Sequence, residues 1–367
     1  MSEGTSETIK PEKLKARFSL PFASVGLPLL SVAIAMLIGA VIMRLMGFDP
    51  IQAYATLWQG SFGNLMQTSS TLTSAIPLLL CGLGIAFAFQ AGAFNIGAVG
   101  QMYLGALGAI LVAGQFPGLP GWLHMLLATL AAFIAGGIWA YIPAMIKIYY
   151  GANEIISTIL LNYVGIYLVE YMISGPIRSG GHEGAPTSWP VVPNTMYPKL
   201  IPQTQLHLGL VIALVAMVII YIVMRFTTLG QRVLIVGKNP VAARHAGIQA
   251  NRIFVLTFFI SGALAGLAGA GEILGYQTRL IADFAPNTGY DAIAVALLGG
   301  FQPFIVGMSA LFFGGLQTGA IAMEAIVQMP AQLVDLVRVL AILAVLAASS
   351  PRIVQIAHRM QGEERKW

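Results

Sequence analysis

What most constrains this chain is that its apolar residues come in long unbroken runs. Residues 208–224, for example, contain no charged side chain at all. A half-buried strand alternates apolar and polar residues, and a strand of a lipid-facing barrel does so over about ten positions. Runs of about twenty apolar residues match a bilayer crossed by α-helices, where each backbone N–H and C=O is satisfied within its own segment. The composition agrees. Charged residues are 9% of the 367, against about 25% in a water-soluble domain. Hydrophobic residues are 57%, enough to fill about ten spans of about 20 residues. The expected fold is all-α: a polytopic integral membrane protein of about ten transmembrane helices.

The runs fall at about 21–42, 66–89, 96–112, 122–146, 155–173, 208–224, 254–273, 290–298, 304–325 and 333–348. The nine-residue piece at 290–298 is barely half a span and reads as a broken or re-entrant element. Asp49-Pro50 is an N-cap followed by proline at the first helical position, and opens a short interfacial helix over 51–58 with Trp58 at the headgroup level. Residues 1–20 form a polar, basic tail, 21–350 the transmembrane domain and 351–367 a second basic tail. Within the domain, 174–206 is a polar loop rich in Gly and Pro. Residues 226–252, with Arg225 just before them, hold Arg232, Lys238, Arg244 and Arg252 and no acid. Basic segments stay on the cytoplasmic side. Both termini and the 226–252 loop are therefore expected in the cytoplasm, with 174–206 outside and an even number of crossings. The net charge of +5 is read as this bias and not as affinity for nucleic acid. One cysteine, Cys81, permits neither a disulfide framework nor a zinc cluster, and no metal site is expected.

An energy source is not visible in the chain. A phosphate-binding loop needs G-x-x-x-x-G-K-[ST]. Here Gly237-Lys238 is followed by Asn239, and Arg232 stands in place of the first glycine. No nucleophile, base and orienting group stand together, so the chain is not read as an enzyme, and no cofactor is expected on it. Glycines at 262 and 266, at 315 and 319, and at 97, 100, 105 and 108 suit close helix packing in lipid. Polar residues inside apolar runs are more informative, because they are expensive there. Glu154, Thr158 and Asn162 share one helix face at i, i+4, i+8. Thr68, Thr71 and Ser74 recur at spacing three. Asn95 and Gln101 sit among glycines at a helix break. Two readings stay open for these groups: a path for a neutral hydrogen-bonding solute, or contacts that hold helices together. Glu272, Glu324 and Asp335 fall near run ends, which disfavours a proton-coupled carrier. In the basic loop, Asn239-Pro240 opens a short helix that Gly247 closes. This compact element is a candidate knob for a soluble partner, the other reading being an amphipathic interfacial loop.

These residues also carry a resemblance. The stretch Phe94-Asn95-Ile96-Gly97-Ala98-Val99-Gly100-Gln101 resembles the "FNIGAEGQ" segment of bacterial ABC-importer permeases for nucleosides, with Val99 where that pattern has Glu. Residues 151–163 resemble the family's "NEVISTxMLNY" segment, and residues 237–248 its "GxNPxAARYAGI" loop. The wider class includes permeases for ribose-like sugars and branched-chain amino acids. The resemblance implies a type II-like permease in the cytoplasmic membrane of a bacterium. It implies as partners a second homologous permease, an ATPase with two nucleotide sites holding ATP and Mg, and an extracytoplasmic solute-binding protein. ATPase coupling would fall on Lys238, Asn239, Pro240, Ala243, Arg244, His245 and Gly247. The substrate path would include Phe94, Asn95, Gln101, Tyr103, Thr158, Asn162 and Tyr163, whose amides and rings suit a nucleoside. A simple sugar is the alternative solute, and an ion-coupled secondary carrier the alternative mechanism.

Overall fold

The computed structural model describes residues 22–116, 118–179, 185–330, 332–336, 339–340 and 343. The two tails expected at 1–20 and 351–367, and most of the run at 333–348, lie outside the described residues. Among the described residues twelve α-helices follow one another: α1 (Phe22–Leu45), α2 (Pro50–Phe62), α3 (Leu65–Gln90), α4 (Ala98–Ala113), α5 (Gly121–Tyr150), α6 (Glu154–Ser174), α7 (Gly209–Phe226), α8 (Thr228–Lys238), α9 (Pro240–His245), α10 (Ala250–Ala270), α11 (Thr288–Leu298) and α12 (Pro303–Val327). Among the described residues no β-strand forms, only isolated bridges such as Arg178 with Ser188. Among the described residues six helices are long and apolar enough to cross a bilayer: α3, α5, α6, α7, α12, and α10 together with its extension to Gln277.

Local sequence explains where helices begin. Asp49 accepts from the Ile51 N–H ahead of Pro50, as the dipeptide predicts. Asn64 caps α3 through Gln67 N–H and Asn153 caps α6 through Ile155 N–H. α10 does not stop at Ala270. It widens into a turn of π-helix over Gly271–Gln277, closed by the Thr278 N–H on the Ile273 carbonyl at 3.0 Å.

α3, α4 and α10 are the innermost helices, with α3 wholly buried from Ala75 to Ala88. Small residues let α10 reach this position. Gly262 and Gly266 lie against the backbone of Ala132 and Gly136 on α5, and Gly105 of α4 lies against Gly266. A methyl group at any of these would strike backbone, so glycine is what permits the approach. α5, α6 and α7 turn apolar side chains such as Leu130, Leu160 and Ile219 outward, as lipid-facing helices do.

The bundle has two distinct ends. α8, α9 and the start of α10 make a basic end, where Gly237 meets Gly92 just after α3. The far end carries residues 175–179 and 185–208, which are not a loose linker. Ser188 N–H donates to the Leu280 carbonyl, Val191 N–H to Thr278 and Tyr197 N–H to Leu274. The Lys199 ammonium donates to the Gly275 carbonyl at 2.7 Å. His124 joins them, one ring nitrogen on the Val112 carbonyl at 2.8 Å and the other on the Thr195 hydroxyl at 2.7 Å.

Candidate functional site

Three polar assemblies stand out. The first is a knot of amides where α4 begins. α4 has 16 residues, about 24 Å, and so starts within the depth of a bilayer. Its first N–H groups have no partner in their own helix, and Gly97 at its head offers no side-chain cap. Other residues supply the caps. Asn162, from α6, accepts the Gly100 N–H at 2.8 Å and donates to the Ile96 carbonyl at 3.0 Å. Asn95 accepts the Gly97 N–H at 3.0 Å, exchanges two 2.9 Å bonds with Gln101, and donates to Ser261 of α10 at 2.8 Å. Asn95, Gln101, Thr158 and Asn162 are all buried. Thr158 bonds only to carbonyls of its own helix, those of Glu154 and Ile155. The helix face Glu154–Thr158–Asn162 is thus real, with Glu154 paired to Lys147 at 2.8 Å. The aromatics foreseen beside the amides do not join them. Tyr163 points away from the bundle, 52% exposed, and Phe94 packs on Phe89 at the basic end. Tyr103 is buried against Phe284, ring centroids 4.4 Å apart.

The second assembly is a polar cavity of about 460 Å³ in the far half, within the usual range of small-molecule sites. Five pieces of chain build it, Gln205 ahead of α7 being one. α3 gives Ser70, Thr73 and Ser74, and α12 gives Gln317 and Thr318. The π-turn gives Glu272, Tyr276 and Gln277, and the segment entering α11 gives Asn287, Thr288 and Asp291. Tyr276 and Ile321 are exposed at its rim. None of the amide-knot residues lines it. Of the hydroxyl stripe read from sequence, only Ser74 does. Thr68 and Thr71 bond to the Asn64 and Ser61 carbonyls instead. Glu272, set aside in sequence as a run-end acid, is in the cavity wall because the π-turn rotates it inward. No pattern of spacing announces a π-turn; the signals available were a glycine pair around Glu272 and the polar run that follows it.

The third assembly is α9. Asn239 accepts from both the Val241 and Ala242 N–H groups at 3.0 Å. At the other end Gly247 adopts φ +76°, and Ile248 N–H returns to the Ala243 carbonyl at 2.9 Å. Ala243 is the buried face of this short helix; Val241, Arg244 and His245 are exposed. Lys238 ends α8 directly before the Asn239 cap. Pro240 and Arg244 border a cleft of about 450 Å³ shared with Lys147 and Glu154.

At the far end, His207 packs its ring against Gly209, Gly271 and Gly275 and accepts the Gly209 N–H on Nδ1 at 3.1 Å. Burial, with the Lys199 ammonium nearby, pushes its pKa down to about 4. It is a neutral structural group. Among the described residues no cluster of His, Cys, Asp and Glu has a metal-holding arrangement.

Comparison with known proteins identifies the family. Residues 67–346 match the family described as branched-chain amino acid transport system / permease component. The guanosine ABC transporter permease NupP of Bacillus subtilis is 35% identical over 342 residues, covering 91% of this chain and 97% of that protein. A glucose ABC transporter permease of Haloferax volcanii is 36% identical over 342 residues, with 90% of each chain covered. The nucleoside ABC transporter permease NupB of Lactococcus lactis is 33% identical over 308 residues, covering 80% of this chain and 83% of that one. An all-helical bundle with six spanning helices, a polar cavity in one half and a capped basic helix at the other end is in keeping with a transport component, and the match over most of its length shows that this chain belongs to the branched-chain amino acid transport system permease family.

Proposed function

We propose that the chain is one of two permease subunits of an ABC importer that moves a nucleoside across the cytoplasmic membrane of a bacterium by alternating access. The polar cavity carries this reading. It is sized for a small solute and lined by hydroxyls, amides and a tyrosine ring, groups that hydrogen-bond a ribose and stack on a base. The nucleoside permeases among the relatives support the solute. A simple sugar is the second reading, favoured by the haloarchaeal glucose permease; the hydroxyls and amides would serve it equally.

In this reading the fold is type II-like with ten passes: α1, α3 to α7, α10, α11 as a half pass, α12 and the run at 333–348. The basic bias puts the 226–252 loop and both termini in the cytoplasm and the 174–206 cap outside, where a solute-binding protein would dock. ATP and Mg are held by a partner ATPase with two nucleotide sites, which grips α9 through Lys238, Asn239, Pro240, Arg244 and His245, with Ala243 and Gly247 shaping the helix. The amide knot, including Asn95, Gln101 and Asn162, positions α4 beside the solute's route. Proteoliposomes containing both permeases and the ATPase, supplied with loaded binding protein, should accumulate guanosine only with ATP. Accumulation by this chain alone under an ion gradient would refute the reading.

A further inference from the structure

We infer that Glu272 selects among solutes by accepting hydrogen bonds from N–H groups on the edge of a nucleobase; this rests on the reading of the cavity as a nucleoside path. The π-turn places Glu272, Tyr276 and Gln277 in one stretch of wall. Gln277 is anchored there. Its Nε2 donates to Glu272 Oε2 at 3.3 Å and to the Phe284 carbonyl at 3.2 Å. That contact orients the carboxylate, each of whose oxygens can accept more than one hydrogen bond. The Gln277 Oε1 is buried and has no hydrogen-bond partner. Buried amide oxygens nearly always find one, so this oxygen is an acceptor left open. Glu272 and Gln277 thus present acceptors side by side on this stretch of wall.

A carboxylate takes two parallel N–H bonds well. The edge of guanine that carries a ring N–H beside an exocyclic amine supplies such a pair. Hypoxanthine lacks the amine and supplies only one. The exposed Tyr276 ring at the rim gives a surface on which either base stacks equally. Selection between the two thus falls on the acceptors and not on the ring.

The test uses the complete importer with wild-type, E272Q, E272D and Q277L chains. ATP-driven uptake of guanosine and of inosine is measured, each corrected for its affinity for the binding protein, which these substitutions do not touch. The wild-type complex should prefer guanosine. E272Q should lower the guanosine-to-inosine ratio about tenfold, the effect of losing a charge-assisted hydrogen bond. E272D should retain most of the preference, and Q277L should lower it in the same direction, so that the result does not depend on one variant assembling. An unmoved ratio in the assembled variants overturns the role of Glu272 while leaving nucleoside transport intact. A wild-type complex that moves neither nucleoside overturns the transport reading and this inference with it.

Discussion

Asn162→Ala should loosen the bundle without changing which solute is moved. The side chain makes two bonds to backbone of another segment, to Gly100 N–H at 2.8 Å and from Nδ2 to the Ile96 carbonyl at 3.0 Å. Interhelical hydrogen bonds in membrane proteins average about 0.6 kcal/mol and reach about 1.7 kcal/mol. The upper value applies here, because the Gly100 N–H belongs to the first turn of α4 and has no partner in its own helix. Two such bonds give about 3 kcal/mol, and two average ones would give about 1 kcal/mol. Thr158 is the internal control. It is equally buried, but its hydroxyl bonds only to carbonyls of its own helix, so Thr158→Ala should cost under about 1 kcal/mol. The assay is unfolding of the purified chain in mixed micelles, titrated with a denaturing detergent and followed by circular dichroism. Equal losses for the two variants would refute the capping argument. A changed guanosine-to-inosine uptake ratio in Asn162→Ala would instead return this residue to the solute's path.

His207 gives a dependence on pH. Its pKa lies at about 4 in the folded chain against about 6.5 when unfolded. The unfolded chain therefore takes up the proton first. Stability from this group is complete above pH ~6.5 and falls by up to about 3 kcal/mol as pH drops towards 4. Thermal unfolding of the wild type should show that slope, and His207→Asn should flatten it between those limits. At the basic end, Asn239→Ala removes the acceptor for two N–H groups of α9 and should weaken that helix by about 1 kcal/mol. Together with Arg244→Glu, it should cut ATP-driven uptake several-fold while the chain's melting temperature and its recovery in membranes stay close to wild type. Uptake at the wild-type rate would remove α9 from the coupling surface.

Much of the fold was legible because spanning helices need one thing, a continuous apolar run, and runs are visible in sequence. The starts at Asp49 and Asn239 were legible too, since a cap is a local event among residues a few positions apart; Asn64 and Asn153 cap α3 and α6 in the same local way. The site was less so. Asn95, Gln101, Thr158 and Asn162 were singled out as costly polar groups in apolar runs, and the structure does gather them. Whether such groups bind each other or a solute is decided by distances between segments 60 residues apart in the chain, which spacing does not encode. Glu272 was read only as a run-end acid, and Gln277 was not singled out, because a straight α-helix of the same sequence would put them on other faces; the π-turn reassigns them. Phe94 and Tyr163 show the converse. They adjoin Asn95 and Asn162 in sequence, yet a step of one residue turns a side chain by about 100° around a helix, and Tyr163 thereby leaves the face that Asn162 occupies.

The two interruptions of this bundle explain why the knot and the cavity differ. Non-helical backbone at membrane depth is tolerated when buried in protein or when it lines a water-filled space. Residues 91–97, between α3 and α4, take the first course. Their exposed backbone groups are met by Asn95 and Asn162, and the site closes. The segment before α11 takes the second: residues 284–288 line the cavity, and Asn287 makes no side-chain cap on the helix that follows. α11 itself is only 11 residues, about 16 Å, and it touches both solutions. Thr288 and Asp291 face the cavity, and Asp291 in the first turn offsets the positive end of the helix dipole. Gly289 meets Val99 at the head of α4, and Tyr290 lies 3.5 Å from the Asn162 amide. Beyond its last turn, Phe301 stacks on Phe89 at 4.8 Å and accepts from the Gln90 amide at the basic end. A full-length helix in this place would occupy the volume of the cavity. The half span read from sequence at 290–298 is therefore the feature that makes room for a solute, and the amides fix the neighbouring helix against which that room is measured.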